Sequence, residues 1–319
     1  MAYSSGGLIQ ATDYNNFTWG GTQGTYTNAT NNLAYVLGVG NAQSGYGQSV
    51  SAINTVAAAS VVTATQWTGL LNGLNTCLGH QSGAGAQIAG AAMVAGGTIT
   101  YQANLSTAVT TINTNQALFN AQGTTTTGAT FSPNYTVATT SAAQTWTFTR
   151  TVTFPSADQA RYFFNAGGQL NFVTISATNG DATARSGDWV TLIGTNLGSI
   201  SAIRRTTNGG RSGSGGTLNT NNTSLGYYNS TTSAQTITQV TSTTAAYTSD
   251  YVIVAIRTNG KQGTNFDNGT ILYLDFTVYS GAMSGTFNES INVTWNHRID
   301  IVYPETTYLT NSWGTITIA

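Results

Sequence analysis

The chain has 319 residues, of which 9 are Lys or Arg and 10 are Asp or Glu, a charged fraction of 6% where roughly 25% is ordinary. A net charge of −1 gives no field to draw nucleic acid or an anionic membrane, and the length admits two domains or one large one. A lone cysteine, Cys77, excludes a disulfide framework within the chain, and no apolar run approaches the ~18 residues that would suggest a membrane-spanning helix.

The few charges are unevenly placed. Asp13 is the only acidic or basic side chain before Arg150. Charge ordinarily keeps a free monomer soluble, so this stretch predicts a surface covered by partners or wetted by Thr, Ser, Asn and Gln instead. The opening MAYSSGGLIQ has neither the basic nor the apolar region of a signal peptide. Asn-x-Ser/Thr triplets, as at Asn28, Asn134 and Asn292, therefore read as products of an Asn- and Thr-rich composition rather than as glycosylation sites.

Residues 1–48 are rich in Gly, Asn and Thr with aromatic residues spaced through them. Thr12 is expected to cap one short helical turn, DYNNF, and the rest to be irregular chain with turns. Between Thr65 and Leu78 the residues Trp67, Leu70, Leu71, Leu74 and Leu78 fall on one face of a helix. Cys77 lies beside that stripe as a small buried apolar group, Gly79 follows as a stop, and His80 is expected at the helix end. Residues 82–97, small and uncharged, fit a linker or a closely packed segment equally. Tyr101 to Phe119 predicts a second helix, with Leu105, Ala108, Val109 and Ile112 on its apolar side. The Gly/Thr/Ser-rich stretch that follows, with Pro133, suggests a boundary.

The most informative run is Thr145–Val173. Up to Phe154 it alternates, with Trp146, Phe148, Val152 and Phe154 on one face and threonines between, as a half-buried strand does. Pro155 ends the strand, Ser156 stands at an N-cap and Asp158 in the first turn. Gly167 falls where a left-handed C-cap belongs, and an extended segment starts at Gln169. Asp188 to Ile200 predicts another helix, with Trp189, Leu192, Ile193, Leu197 and Ile200 aligned. Residues 204–217, with three arginines, read as a surface loop. A phosphate loop is excluded, since no strand feeds a glycine turn into a helix there. Alternation returns at Val252–Ile256, Leu272–Val278, Ile291–Ile301 and Trp313–Ile318.

The expected fold class is α+β: a helical and irregular N-terminal region (1–125) serving attachment or oligomerisation, a linker (126–144), and a mainly antiparallel β domain (145–319) with helices packed on one face. No catalytic, cofactor-binding or metal-binding residue is assigned. His80 has no second ligand at metal-site spacing, and the carboxylates are scattered singly, so nothing selects a pair for acid–base work. Asp275 and Asp300 are expected to face water or a neighbour. Arg150 and His297 share the parity of the apolar faces, so each needs a buried partner or a place against another chain, the histidine most simply as a hydrogen-bonded core residue. Tyr227 and Tyr228, near turns, suit either stacking on sugars or an interface.

LIQATDYNNF, TATQWTGLLNGLNTCLGHQSG and above all SADQARYFFNAGGQLNF resemble segments of virion structural proteins of large tailed bacteriophages, particularly those of marine cyanobacteria, often described as tail-fibre-like. The resemblance implies a non-enzymatic particle component in multiple copies, on the tail, collar or a fibre, made without a signal peptide and located in the virion. Its partners would be itself, other virion proteins and a host-surface glycan, with no cofactor, nucleic acid or membrane insertion. Repeated short β motifs and extended heptads are absent from the sequence, so a globular or adaptor-like part is expected rather than a shaft. A capsid decoration protein and a carbohydrate-binding module at a fibre tip are the alternatives.

Overall fold

A computed structural model of the chain describes residues 10–20, 23, 32–41, 43–88, 102–260 and 269–319. Most of the ambiguous 82–97 segment lies outside them. Among the described residues the α-helices before the first strand are α1 (Ala11–Trp19), α2 (Leu33–Leu37), α3 (Ala64–Ser82) and α4 (Gln102–Thr114). The strands β1 (Gln122–Thr126), β2 (Asn134–Val137) and β3 (Gln144–Thr153) lead to α5 (Ala157–Asn165) and β4 (Gln169–Asn179). Then come α6 (Ala184–Val190), a π-helical turn over Thr191–Leu197, and β5 (Ile200–Ile203), β6 (Thr217–Asn221), β7 (Gln235–Thr241), β8 (Tyr251–Thr258), β9 (Ile271–Ser280), β10 (Ile291–Pro304) and β11 (Thr317–Ile318). The class is α+β, and the strands divide into two antiparallel sheets. One runs β1-β10-β4-β5 with β2 also on β10, the other β11-β3-β9-β8-β7-β6.

The run 145–173 folds as its pattern requires. Trp146, Phe148, Arg150 and Val152 of β3 lie opposite Val278, Phe276, Leu274 and Leu272 of β9. Ser156 caps α5, its hydroxyl accepting from the Gln159 N–H at 3.2 Å. Gly167 has φ +87°, and a Cβ there would run into the Phe119 ring. Both facts require glycine. The chain re-enters as β4 at Gln169.

β10 organises its sheet. One edge pairs with β4 along most of its length. The other is shared by β2, against Ile291–Thr294, and β1, against Ile301–Pro304, with Phe131 bridging to His297 between them. The range 126–144, expected as a linker, thus contributes Phe131 and Asn134–Val137 to the ladder, because a 14-residue strand leaves two rows of backbone donors and acceptors to satisfy. Between Asn296 and His297 the register with β4 slips by one residue. This bulge transfers the inward face of β4 from Leu170 and Phe172 to Ala177.

The sheets face each other across aromatic side chains. Phe148 and Phe276 stack at 4.5 Å between centroids. Trp295 of the opposite sheet stands edge-on to both at 5.6 Å, and Phe172 lies 4.6 Å from Phe276. Such offset and edge-on geometries suit ring quadrupoles. The π turn contacts β4 of one sheet and β7 and β8 of the other, burying Leu192, Ile193 and Leu197.

Helix boundaries differ from the sequence reading in informative ways. α1 runs to Trp19, and Asp13, not Thr12, holds its start, its carboxylate accepting from the Gln10 N–H at 2.9 Å. α3 begins with a Thr63–Gln66 capping box and continues through Gly79 to Ser82. Gly79 is no stop: its missing side chain makes room for the Tyr308 ring. The helix expected from Asp188 begins at Ala184, capped by Thr183, and Ile200 belongs to β5. α4 ends at Thr114, leaving Phe119 beyond it to cover Gly167.

The N-terminal helices join the sandwich rather than standing apart. Buried Leu33, Trp67, Leu74 and Ile112 belong to one continuous core with Phe163, Leu170 and Trp313. Polar bonds cross the same boundary. Arg161 Nη2 donates to Val39 O at 3.1 Å, Asn165 Nδ2 to Gly45 O at 3.2 Å, and Ser312 Oγ to Tyr46 O at 2.6 Å. A fragment of residues 145–319 alone is therefore expected to lose near-ultraviolet circular dichroism and cooperative unfolding, both of which the full chain shows. Gly167→Ala is expected to lower stability by about 1–2 kcal/mol from the left-handed backbone alone, measured by denaturant unfolding.

Candidate functional site

Arg150 and His297, singled out by their parity, prove to be each other's partner. Arg150 Nε lies 3.0 Å from His297 Nε2, joining β3 of one sheet to β10 of the other. The imidazole is fully buried, with Phe131, Phe148, Phe172, Phe276 and Trp295 around it at centroid distances of 5.2–5.9 Å. Burial, together with the nearby guanidinium, holds its pKa down at about 4 despite the Trp295 carbonyl. The ring is neutral at pH 7, with Nε2 accepting from Arg150 and Nδ1–H donating to Trp295 O at 3.1 Å. Arg150 stacks over Phe131, 4.0 Å from its centroid. Both nitrogens of the imidazole are thus engaged within the fold.

Most of the other buried titratable groups also have a partner within the fold. Arg185 and Asp250, both fully buried, form a two-pronged ion pair at 2.6 and 3.1 Å, and Arg185 also donates to Gly281 O. Glu289 accepts from the Arg185 N–H and the Tyr247 hydroxyl. Asp188 accepts from Ser242 and Thr244. His80 is buried inside α3, where Nδ1–H donates to Glu305 Oε1 at 3.0 Å. Burial lowers its pKa while Glu305 raises it. Glu305 also accepts from the Thr307 and Tyr308 N–H groups. Burial pushes the Cys77 thiol up, away from the reactive thiolate. Asp275 is half-buried and paired with Arg257, while Asp300, expected to face water or a neighbour, is buried, paired with Arg298 and accepting from the Gly128 N–H. Among the described residues no three of His, Cys, Asp and Glu come together as a metal site would require, and no helix is long and apolar enough to cross a membrane.

The sequence missed Glu305 as the partner of His80, and the Arg185–Asp250 pair. The first was accessible: α3 carried past Gly79 places His80 and Gln81 beside the Leu74–Leu78 stripe. The second joins residues 65 apart, and no local pattern encodes it. Tyr227 and Tyr228, expected at the surface, are buried instead. Tyr227 stacks on Phe164 at 4.4 Å, and the Tyr228 hydroxyl donates to Asn165 Oδ1 at 3.1 Å, so neither offers a face to a sugar.

Two surface concavities are lined by described residues. A cleft of about 570 Å³ lies between β1, the end of β10 and the loop carrying Trp313. Its one carboxylate, Glu305, is already bonded to His80. A second, of about 240 Å³, lies where the turn after α5 meets the 204–207 loop. Arg204 and Arg205 line it, and no carboxylate does. Among the described residues Arg204 is exposed, and the Asp158 side chain is 43% exposed.

No protein-family model, curated protein or solved structure matches the chain.

Because His297 takes up a proton at about pH 4 when folded but near 6.5 when unfolded, the unfolded state binds more protons between those values. Stability is fully present above about pH 6.5 and falls as pH drops toward 4, by up to ~3 kcal/mol from this group. His297→Gln, which retains an acceptor for Arg150, is expected to flatten that part of the fall, measured by urea unfolding at pH 7 and pH 4.5. Asp250→Ala, leaving Arg185 buried without its counter-ion, is expected to cost about 3–5 kcal/mol in the same assay.

Proposed function

We propose that the chain is a non-enzymatic structural component of a bacteriophage virion, associated with the tail, collar or a fibre, and that it acts by assembling with copies of itself and neighbouring virion proteins. The observation that carries this reading is the nearly ion-free exterior. Apart from Arg204 and the Asp158 carboxylate, the charged side chains in the described residues are buried or half-buried. A surface of hydroxyls and amides can be desolvated against another protein without stripping water from ions, the costly step in burying charge. The titratable groups that an enzyme would converge in a cleft are instead engaged in hydrogen bonds and ion pairs within the fold. The resemblance of residues 156–172 to phage structural proteins supports the same reading.

The test uses the full chain. Light scattering should give a mass that is a multiple of the single chain, and the association should change little between about 0.05 and 1 M NaCl, since few ion pairs are there to be screened. Antibodies against the chain should label tailed phage particles at a position repeated by the particle's symmetry. A chain that stays monomeric, is absent from particles, or depolymerises an envelope polysaccharide overturns the proposal.

A further inference from the structure

The small cavity beside the 204–207 loop has a chemistry that the assembly role does not use. The loop is a fixed feature. Arg204 N–H donates to Thr207 O at 2.8 Å, and the carbonyls of Arg204 and Arg205 accept from Tyr227 and Tyr228 N–H at 2.9 and 2.8 Å. It therefore holds two consecutive arginines on a rigid backbone beside the cavity. Arg205 is largely buried, which lowers its pKa. Its Nη2 donates to Gln43 Oε1 at 3.1 Å, while Nε and Nη1 are buried without a hydrogen-bond acceptor, so that a ligand would reach them by a turn of the side chain toward the cavity. Elsewhere in the described residues the buried arginines have carboxylate partners: Arg161 has Asp158 and Arg185 has Asp250. A guanidinium withdrawn from water without a counter-ion is costly, and a bound anion would offset that cost.

We propose that this cavity binds a monoanionic carboxylate on a small hydroxylated body, of the class of a uronic acid. Three features select it. First, the volume of about 240 Å³ falls below the ~300 Å³ at which drug-sized sites begin, which limits the occupant to roughly one sugar ring. Second, the cavity abuts the C-terminal end of α5. Gly167 and Gly168 there spend their N–H groups on Phe164 O and Phe163 O, so no nest of free amides awaits a phosphate, and the negative end of the helix dipole weighs against a dianion. The guanidinium geometry matches a planar carboxylate. Third, Thr206, Thr207 and Gln43 supply hydroxyl and amide groups for a polyol, with Phe119 as an apolar wall.

A second copy of the chain is disfavoured as the source of the carboxylate. Asp13, Asp181, Asp188, Glu289 and Glu305, the described acids without an arginine partner, are all bonded within their own fold. The site is thus suited to a ligand from outside, and it is independent of whether the chain assembles into a particle.

The experiment is calorimetric titration of the full chain with D-glucuronate, methyl β-D-glucoside, acetate and inorganic phosphate. Glucuronate is expected to bind at least about tenfold more tightly than each of the other three, and added salt should weaken it. Arg205→Met and, separately, the surface change Arg204→Gln should each weaken glucuronate about tenfold or more with the circular dichroism spectrum retained for Arg204→Gln. No binding of glucuronate at about 10 mM, equal binding of the neutral glucoside, tighter binding of phosphate, or unchanged affinity in Arg204→Gln would each overturn the assignment. If Arg204→Gln instead alters only the mass of the assembled chain, the arginines belong to a protein interface and the ligand proposal is wrong.

Discussion

The hydrogen bond from Arg150 to His297 is the constraint on which the sandwich depends. Two sheets packed through apolar side chains have a favourable interface but a poorly specified offset, since the hydrophobic effect is non-directional. A single polar bond across that interface is directional. Inside a shell of five aromatic rings, misplacing either partner leaves an unsatisfied group far from water, which costs more than the bond itself contributes. The same shell keeps the imidazole neutral, and only the neutral ring can accept from Arg150. Packing and protonation state therefore require each other.

A second polar contact does comparable work at the edge of the sandwich. His80 and Glu305 are 225 residues apart in sequence, yet they join the last turn of α3 to the residue that follows β10. Around them, Tyr46 packs edge-on against His80 at 4.9 Å and Gln81 donates to the Tyr46 hydroxyl. Gln48 exchanges two hydrogen bonds with the Thr310 backbone. The N-terminal helices have little apolar surface to spare and almost no charge, and this polar seam, with the core beneath it, is what orders them.

How much of this was legible follows from where each signal resides. Strand β3 and helix α5 were readable because their information is local: alternation from Trp146 to Phe154, a serine cap, a glycine at positive φ. The parity of Arg150 and His297 correctly marked both as inward-facing, although nothing in the sequence paired them. β1 and β2 were not readable, since GTTTTG and NYTV carry no apolar alternation and become strands only because β10 has edges to fill. β7 hid its period behind a bulge at Ile237, where the register with β8 shifts. Gly79 misled because a glycine inside a helix can serve a neighbour's side chain, here Tyr308, rather than end the helix. Tyr227 and Tyr228 misled in the same way: proximity to turns says nothing of what folds back over them. The arginine cavity was half legible. Its loop was found, but Gln43 and the turn after α5, which complete it, are distant in sequence.

The position of β10 in the chain has a consequence for synthesis. A ribosome adding roughly 5–20 residues per second exposes β1, β2 and β4 more than a hundred residues before their common partner emerges, and these waiting segments have open backbone edges for several seconds or longer. The threonine, serine and glycine content that made the 122–137 stretch look like a spacer is then protective. A nascent strand with little apolar surface has little tendency to stick to other chains during the delay, and it can wait, hydrated, for the one sequence that completes it.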